Sequence, residues 1–201
     1  MRRADRVQEA DARELLLAAT DRCLQRHGYA GLSTRRVAED AGMPLSQIHY
    51  HFGSKDALVL ALLGYRNERL LERQQAMYGE ALPLWRRWDR ACDFLDADLE
   101  SGYVRILQEM IAASWSNKAL AAAVRRFLGG WFSLLTEVGG EVTKRFGPIG
   151  GLRAEDLACL VGTAFIGSEA LILAGFESTG LPLRRALRRF GAAIRALEEP
   201  R

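Results

Sequence analysis

The chain has 201 residues, 49% hydrophobic and 26% charged, which is typical of a soluble globular protein large enough to bury a core. Its net charge of +3 excludes the strongly basic body of many non-specific nucleic-acid binders, so any DNA-binding face must be local. Residues 1–56 hold nine Arg or Lys against eight Asp or Glu, whereas residues 180–201 hold six Arg against two Glu. The basic tail is interpreted as a solvated helix face.

The cysteines and the longest apolar stretch bear on cellular location. Cys23, Cys92 and Cys159 are widely separated and form no C-x-x-C pair, which favours a reducing cytoplasm and gives no sign of a cofactor or metal site. The stretch 157–176 approaches membrane length but contains Glu169, and its small residues recur four apart. We therefore predict a buried core helix and no membrane partner.

Apolar residues follow a 3.6-residue period through almost the whole chain, and no run alternates strictly enough to predict a strand. Glycine, proline and capping residues divide this pattern into helices. The predicted helices span residues 12–27, 34–41, 44–51, 55–77, 84–100, 103–115, 117–146, 154–176 and 182–197. The fold class predicted is therefore all-α. The glycine pairs at 129–130 and 139–140 suggest a kink or break in the longest helix.

Residues 33–52 have the pattern of a helix-turn-helix. Two short helices meet at Gly42, small Ala38 permits their close approach, and Val37 and Ile48 fill the space between them. The second helix is polar enough to donate to phosphates or to read base edges in a major groove. Spacing alone leaves a second interpretation open, a helical hairpin in some other α-domain.

Residues 13–63 resemble the DNA-binding domain of the TetR/AcrR family of transcriptional regulators. The resemblance is carried by Gly28-Tyr29, Ser33-Thr34-Arg35, Val37-Ala38-Glu39, Ala41-Gly42, and Tyr50 to Lys55 with Leu58. It implies an N-terminal three-helix helix-turn-helix domain at 1–56, a long helix 4 at about 54–78 as linker, and a helical ligand-binding and dimerisation domain at 57–201.

The resemblance also implies which residues contact double-stranded operator DNA. At the start of helix 2, the backbone or a base would be contacted by Ser33, Thr34 and Arg35. On helix 3, the side chains facing the groove would be Leu45, Ser46, Gln47 and His49. Phosphates would be bound by Tyr50 and Lys55. Many family members carry Tyr where His49 stands, so the sequence leaves open whether His49 or Tyr50 makes the main phosphate contact.

His49 and His51 invite a metal-binding interpretation. Two residues apart on a helix, their side chains point about 200° apart, and no third ligand is near. We predict no metal site.

The C-terminal half is rich in large apolar side chains, which suits a pocket for a small apolar or aromatic effector, although ordinary helix core explains each residue singly. The predicted pocket residues are Trp85, Trp88, Phe94, Tyr103, Met110, Trp115, Phe132 and Glu169. Glu169 is the only charge between Asp156 and Glu177, so it is expected either to pair across a dimer or to face the effector.

The helix predicted at 117–146 has a 3-4-3-4 apolar spacing that needs a partner. The resemblance implies that this helix and the next form a four-helix homodimer interface, for which the candidates are Val124, Phe127, Trp131, Val138, Gly162 and Phe165. The stripe of the last helix is expected to dock on the core with its arginines in water.

Together these features predict a dimeric repressor that binds a palindromic operator and is released by a small-molecule effector. An enzyme is the first rival, but no nucleophile, metal or phosphate-binding motif is present. The second rival is a helical scaffold that kept the fold without binding DNA. The sequence does not identify the effector, the operator or the regulated genes.

Overall fold

The structure, a computed structural model, describes residues 3–199; the outermost residues of both predicted domains lie outside this range. The described chain is all-α, as predicted, with only an isolated bridge between Ile149 and Leu152. The helices are α1 Arg3–Gly31, α2 Thr34–Ala41, α3 Leu45–Phe52, α4 Lys55–Gly79, α5 Leu84–Glu100, α6 Tyr103–Ser114, α7 Lys118–Phe146, α8 Ala154–Leu173 and α9 Leu183–Glu198, with a 3-10 helix at Phe176–Thr179.

Three details differ from the predicted helices. The first helix begins at Arg3 rather than at residue 12, and its backbone leaves the helical region at Gly28, where the end was predicted. Helix α8 ends three residues early, at Leu173. Helix α7 runs unbroken through both glycine pairs. Gly139 allows a close approach of backbone, since a Cβ there would lie 2.7 Å from the Ala154 carbonyl oxygen.

The described chain divides into two compact units. The N-terminal unit comprises the described residues up to Glu68 together with Ile106–Val124, and the C-terminal unit comprises Arg69–Arg105 and the described residues from Arg125 on. The division at residue 56 therefore remains a prediction. The N-terminal unit includes most of α6 because Leu107 and Met110 of that helix are buried in it.

Local backbone chemistry sets the short helices of the N-terminal unit. The Ser33 hydroxyl accepts the Arg36 N–H at 3.2 Å and caps α2. Gly42 ends α2 at φ +64°, a left-handed conformation that favours glycine. The Met43 N–H then donates to the Ala38 carbonyl at 2.9 Å. These caps fix where α2 stops and so where α3 starts.

The core of the N-terminal unit lies between its helices. The core side chains are at most 5% exposed; they include Leu16, Ala19, Cys23 and Leu24 of α1, Val37 and Ala38 of α2, Ile48 of α3, and Leu58, Val59, Leu62 and Leu63 of α4. Burying an aliphatic side chain of this size stabilises a fold by about 1.5–3 kcal/mol. The buried side of α3 is held by Ile48, which leaves the opposite side in solvent.

The core of the C-terminal unit is aromatic. Cys92, Leu95, Phe165 and Leu187 are buried together, and Trp88 packs against them. The Trp88 indole N–H donates to the Leu187 carbonyl at 2.7 Å, and its ring lies 5.4 Å from that of Phe165. Helices α5, α8 and α9 are thereby joined, since a buried indole N–H needs an acceptor.

Helix α8 differs from the predicted buried core helix. It is the one helix of the described chain long and apolar enough to span a membrane, yet only 22% of its most apolar window is buried. Length and composition of one helix are weak evidence for a membrane span. One face of α8 packs on its own chain through Ala158, Gly162 and Phe165, and the other lies exposed.

The predicted dimer residues on α7 and α8 are largely covered by their own chain. Val124 and Phe165 are 6% exposed and Gly162 is buried, so these three have little surface left for a second chain. The Trp131 indole donates to Gln74 at 2.8 Å, and Phe127 and Val138 are half-buried. Part of the apolar row on α7 is therefore packed within its own chain, and its role in a dimer stays a prediction.

The apolar surface that remains exposed lies on α8 and α9. On α8 it comprises Leu160, which is 57% exposed, with Thr163, Ala164, Gly167 and Ala170; on α9 it comprises Phe190, which is 54% exposed, with Ala186, Ala193 and Leu197. The spacing of three and four places each row on one helix face. We call this surface the α8/α9 face.

The basic helix α9 is also arranged differently from the prediction. Arg184 and Arg188 point toward α5, where they form ion pairs with Asp96 at 2.8 and 2.7 Å. Phe190, expected to dock on the core, has its ring 5.1 Å from that of Trp88 but is more than half exposed. The arginine ion pairs hold α9 against α5, with Leu187 buried in the core and Phe190 and Leu197 left largely exposed.

Candidate nucleic-acid interface

Helix α3 presents a polar surface on a compact support. Ile48 is fully buried, whereas Leu45, Ser46, His49 and Tyr50 are exposed and Gln47 is half-exposed. The exposed positions offer hydroxyl, amide and imidazole groups, which can bond to phosphates or to base edges.

Tyr50 is the most exposed aromatic side chain of α3, with 70% of its surface accessible. Its hydroxyl donates to the Glu9 carboxylate at 2.6 Å, and its ring meets that of His51 edge-on at 4.9 Å. The hydrogen bond to Glu9, with its charge, raises the pKa of the phenol. The phenol therefore stays protonated and able to donate near neutral pH.

The two histidines beside Tyr50 are turned in other directions. The His49 ring nitrogen Nδ1 lies 3.3 Å from the Gly53 carbonyl, so the imidazole folds back along its own helix. The His51 ring packs 6.1 Å from that of Phe52. Within residues 3–199, no three or more His, Cys, Asp or Glu side chains are grouped as metal ligands. Of the pair left open above, Tyr50 is the side chain that extends outward.

The predicted contacts on α2 are grouped beside α3. Arg35 is 84% exposed and pairs with Glu39 one turn on, at 3.5 Å. Ser33 is exposed and Thr34 half-exposed, at the N-terminus of the helix. A surface pair of this kind contributes little stability, so the Arg35 guanidinium can exchange its carboxylate for a phosphate at small cost.

Lys55 has a structural role that sequence reasoning missed. Its ammonium donates to the Tyr29 carbonyl at 2.7 Å and lies 4.2 Å from the centre of the Tyr29 ring. A lysine carries three N–H donors, so two remain for other acceptors. The position of this predicted phosphate clamp is set by the chain segment that follows the Gly28 kink.

Tyr29 also joins the start of α4 to α6 and the turn after it. Its hydroxyl donates to the Asp56 carboxylate, and its backbone N–H donates to the Glu109 carboxylate of α6. The other Asp56 oxygen accepts the Asn117 side-chain amide at 3.2 Å. No local sequence signal pairs residues so far apart, so only the fold reveals this polar junction within the N-terminal unit.

The polar junction predicts a dependence of stability on pH. Burial, followed by the hydrogen bond and charge of Asp56, raises the pKa of Tyr29 to about 12 from 10.0. Below pH 10 the Tyr29 phenol is protonated in both the folded and the unfolded protein. Between pH 10 and about pH 12 the unfolded chain loses this proton more readily than the folded chain, so the free energy of unfolding falls as the pH rises. Tyr29→Phe should make the fall of the urea midpoint between pH 10 and 12 shallower.

Tyr78 supplies the comparison for this measurement. Burial raises its pKa to about 12 as well, so Tyr78→Phe should remove a separate share of the same pH dependence. An unchanged fall in the Tyr29→Phe variant would show that the Asp56 hydrogen bond does not hold the Tyr29 proton.

The predicted effector residues are not brought into one place. Met110 is fully buried in the N-terminal unit, and Trp115 of the same unit is 83% exposed. In the C-terminal unit, Tyr103 is 6% exposed, and Phe94 lies under the Arg73 guanidinium at 4.1 Å. Trp85 lies under Arg195 at 4.8 Å.

Trp88 and Phe132, two further predicted effector residues, are linked by a chain of ring contacts through Phe165 and Trp131. The rings of Trp88 and Phe165 are 5.4 Å apart, those of Phe165 and Trp131 6.5 Å, and those of Trp131 and Phe132 5.5 Å. Phe132 is packed so tightly on Gly162 that a Cβ there would come within 2.3 Å of its ring. Glu169 is half-buried on α8.

Two short helices that meet at a left-handed glycine, with the polar face of the second exposed, define a helix-turn-helix protein. Residues 16–62 match the family model described as bacterial regulatory proteins, tetR family. This segment is therefore similar to the bacterial regulatory proteins of the tetR family, and further helices follow it in the described chain.

Curated relatives match the same N-terminal region. The HTH-type transcriptional repressor AcnR of Corynebacterium efficiens is 37% identical over 62 residues, 31% of this chain and 33% of that protein. AcnR of Corynebacterium glutamicum matches to the same extent. The match spans about a third of the length of these repressors, and they are regulators rather than enzymes.

Solved structures share the fold over nearly the whole chain. A TetR transcription regulator from Haloarcula marismortui superposes with a TM-score of 0.76 at 22% identity, over 92% of this chain and 96% of that one. FadR from Bacillus subtilis, in complex with stearoyl-CoA, superposes with a TM-score of 0.71 at 14% identity, over 92% of this chain and 96% of that one. A putative regulator from Saccharomonospora viridis, in complex with choline, superposes with a TM-score of 0.73 at 20% identity, over 90% of this chain and 95% of that one.

Proposed function

We propose that this protein is a cytoplasmic transcriptional repressor that binds a palindromic operator as a homodimer and is released by a small molecule. The observation that carries the proposal is the exposed polar face of α3, in a segment that matches the family model and resembles repressors of known function. A body with a net charge of +3 must bind DNA through placed side chains rather than through bulk charge.

In the proposed complex, α3 lies in the major groove. Gln47 is the side chain best suited to identify a base, because an amide can bond bidentately to adenine, with Leu45, Ser46 and His49 beside it. Tyr50, Arg35 and Lys55 bond to phosphates, and Ser33 and Thr34 contact backbone next to them. Phosphate contacts position the protein and base contacts give specificity.

The homodimer is supported by the α8/α9 face. No charged residue stands between Asp156 and Glu169, and Leu160 and Phe190 are each more than half exposed. An apolar surface of this kind on a soluble protein marks an interface. A two-fold dimer presents two copies of α3 to half-sites about 34–36 Å apart, so the operator is a palindrome.

The effector site is proposed within the C-terminal unit. The aromatic contacts from Trp88 to Phe132 support an apolar or aromatic effector, since such side chains line most small-molecule sites. The neighbours with stearoyl-CoA and choline show that proteins of this fold hold small molecules. The polar junction at Asp56 connects α6 to the helix-turn-helix and is the proposed route by which the signal reaches α3.

The test compares base readout with phosphate contact on the same helix. Gln47→Ala should weaken binding to the operator by about 5- to 150-fold and leave binding to random duplex unchanged, because a lost bidentate base contact costs about 1–3 kcal/mol. Tyr50→Phe should weaken binding to operator and to random duplex by the same factor, because the phosphate that Tyr50 contacts is present in every DNA sequence. Fluorescence anisotropy at several salt concentrations measures both.

Gln25→Ala on exposed α1 is the matched control and should bind like the wild type. If the wild-type chain shows no salt-dependent binding to its own upstream DNA, the repressor proposal is lost and the scaffold alternative stands. If Gln47→Ala retains the full preference for operator, the proposed base readout by α3 is wrong.

A further inference from the structure

The hydroxyl of Tyr50 is already engaged by a carboxylate of its own chain. Glu9, on the first turns of α1, accepts this hydrogen bond at 2.6 Å across a sequence separation of 41 residues. One turn further along α1, the Arg13 guanidinium lies 5.5 Å from the centre of the Phe52 ring. The edge of α1 beside α3 therefore carries one anion and one cation, which contact Tyr50 and Phe52 near the end of α3.

A phenol has a single hydrogen to donate, so Glu9 and a DNA phosphate cannot hold the Tyr50 hydroxyl together. Both acceptors are anions, and the carboxylate occupies the place that the phosphate would take. A phosphate that approaches Tyr50 must also come near the negative charge of Glu9, which repels it. Exclusion and repulsion act in the same direction, against binding.

The opposite effect, that Glu9 holds Tyr50 ready for DNA, is the smaller one. An exposed hydrogen bond restricts a side chain that is 70% accessible and contributes little to order, as measurements on surface pairs show. Repulsion between two charges a few ångströms apart is worth more at low salt and is screened as salt rises.

We propose that Glu9 is a built-in brake on DNA binding, which holds the Tyr50 hydroxyl in the DNA-free protein and must yield it to a phosphate. This inference rests on the proposed function, because it assigns Tyr50 to the DNA backbone. The brake acts on all sequences alike, so it lowers non-specific occupancy and makes operator binding depend on the base contacts of α3.

The test uses two variants that remove the negative charge of Glu9. Glu9→Gln keeps the shape of the side chain and an oxygen that can accept the Tyr50 hydrogen bond, whereas Glu9→Ala removes both the charge and the acceptor. Both variants should bind operator and random duplex about 3- to 10-fold more tightly than the wild type at low salt, with the gain shrinking as salt rises. Glu14→Gln, the same charge change at an exposed position of α1, is the control for net charge.

The Tyr50→Phe background locates the effect. Adding Glu9→Ala to the Tyr50→Phe variant should increase DNA affinity by less than adding it to the wild type, because no Tyr50 hydroxyl is left for Glu9 to release. If Glu9→Gln and Glu9→Ala bind no more tightly than Glu14→Gln while the wild type binds operator, the brake is wrong and the proposed function stands. If the wild type binds no DNA, the proposed function fails and the brake fails with it.

Discussion

Replacing Leu160 with glutamate is expected to convert the proposed homodimer into monomers. Within one chain this side chain is 57% exposed on the α8/α9 face, so a two-fold contact buries it against uncharged apolar residues of the second copy. A carboxylate there would be buried without a partner in both copies, and each uncompensated charge costs several kcal/mol. Sedimentation equilibrium should report a mass close to the 22.4 kDa of one chain.

Loss of the dimer should also remove tight operator binding. A dimer binds its second half-site as an intramolecular step, and such linkage strengthens binding by about 100- to 10,000-fold. A monomeric Leu160→Glu variant should lose operator affinity by a factor of that order although α3 is untouched. The combined measurement separates an assembly defect from a recognition defect.

Leu15→Glu is the matched control, since Leu15 is 56% exposed but lies on α1, away from the α8/α9 face. This variant should remain dimeric. A Leu160→Glu protein that sediments as a dimer would show that the α8/α9 face is not the interface.

The second large effect is expected at Gly139. A Cβ at this position would stand 2.7 Å from the Ala154 carbonyl oxygen and 3.1 Å from its Cα, and backbone cannot rotate away as a side chain can. Gly139→Ala should therefore lower the free energy of unfolding by about 1–3 kcal/mol, the usual cost of forcing a methyl group into a packed site.

Gly140→Ala tests the same substitution one residue on. It is helical, and nothing lies within 4 Å of the site of its Cβ, so alanine should raise the free energy of unfolding by about 0.5–1 kcal/mol through helix propensity. Opposite signs for the two variants in urea unfolding would confirm that Gly139 is required by the contact with α8. Two effects of the same sign would contradict this interpretation.

The pattern of this chain was sufficient for its helices because each local signal agrees with the fold. Ser33 caps α2, Gly42 ends it in a left-handed conformation, and Ile48 is buried while its neighbours on α3 are exposed. Capping and periodicity act over a few residues, so they can be recognised without the tertiary structure. The start of α1 was predicted too late. Nothing in residues 3–11 opposes a helix, so α1 extends to Arg3, ahead of the apolar periodicity from which its start was predicted.

The sensor half was predicted less well, because apolar periodicity shows that a face is buried but not what buries it. Trp131 fits a dimer seam in the sequence, yet its indole is bonded to Gln74 of its own chain. Met110 suits a pocket by type and is a core residue of the N-terminal unit. The predicted effector residues and homodimer therefore remain proposals, the latter now placed on α8 and α9.

The sequence by itself determined the all-α fold and the helix-turn-helix, since both follow from short-range chemistry, whereas the residues of α3 proposed to contact DNA were implied by the resemblance. Only the tertiary structure decided the partners of those residues. Glu9 is 41 positions from Tyr50, and Asp56 joins Tyr29 to Asn117. Contacts between distant segments depend on how helices pack, so the brake on Tyr50 and the polar junction at Asp56 emerge only when the chain is folded.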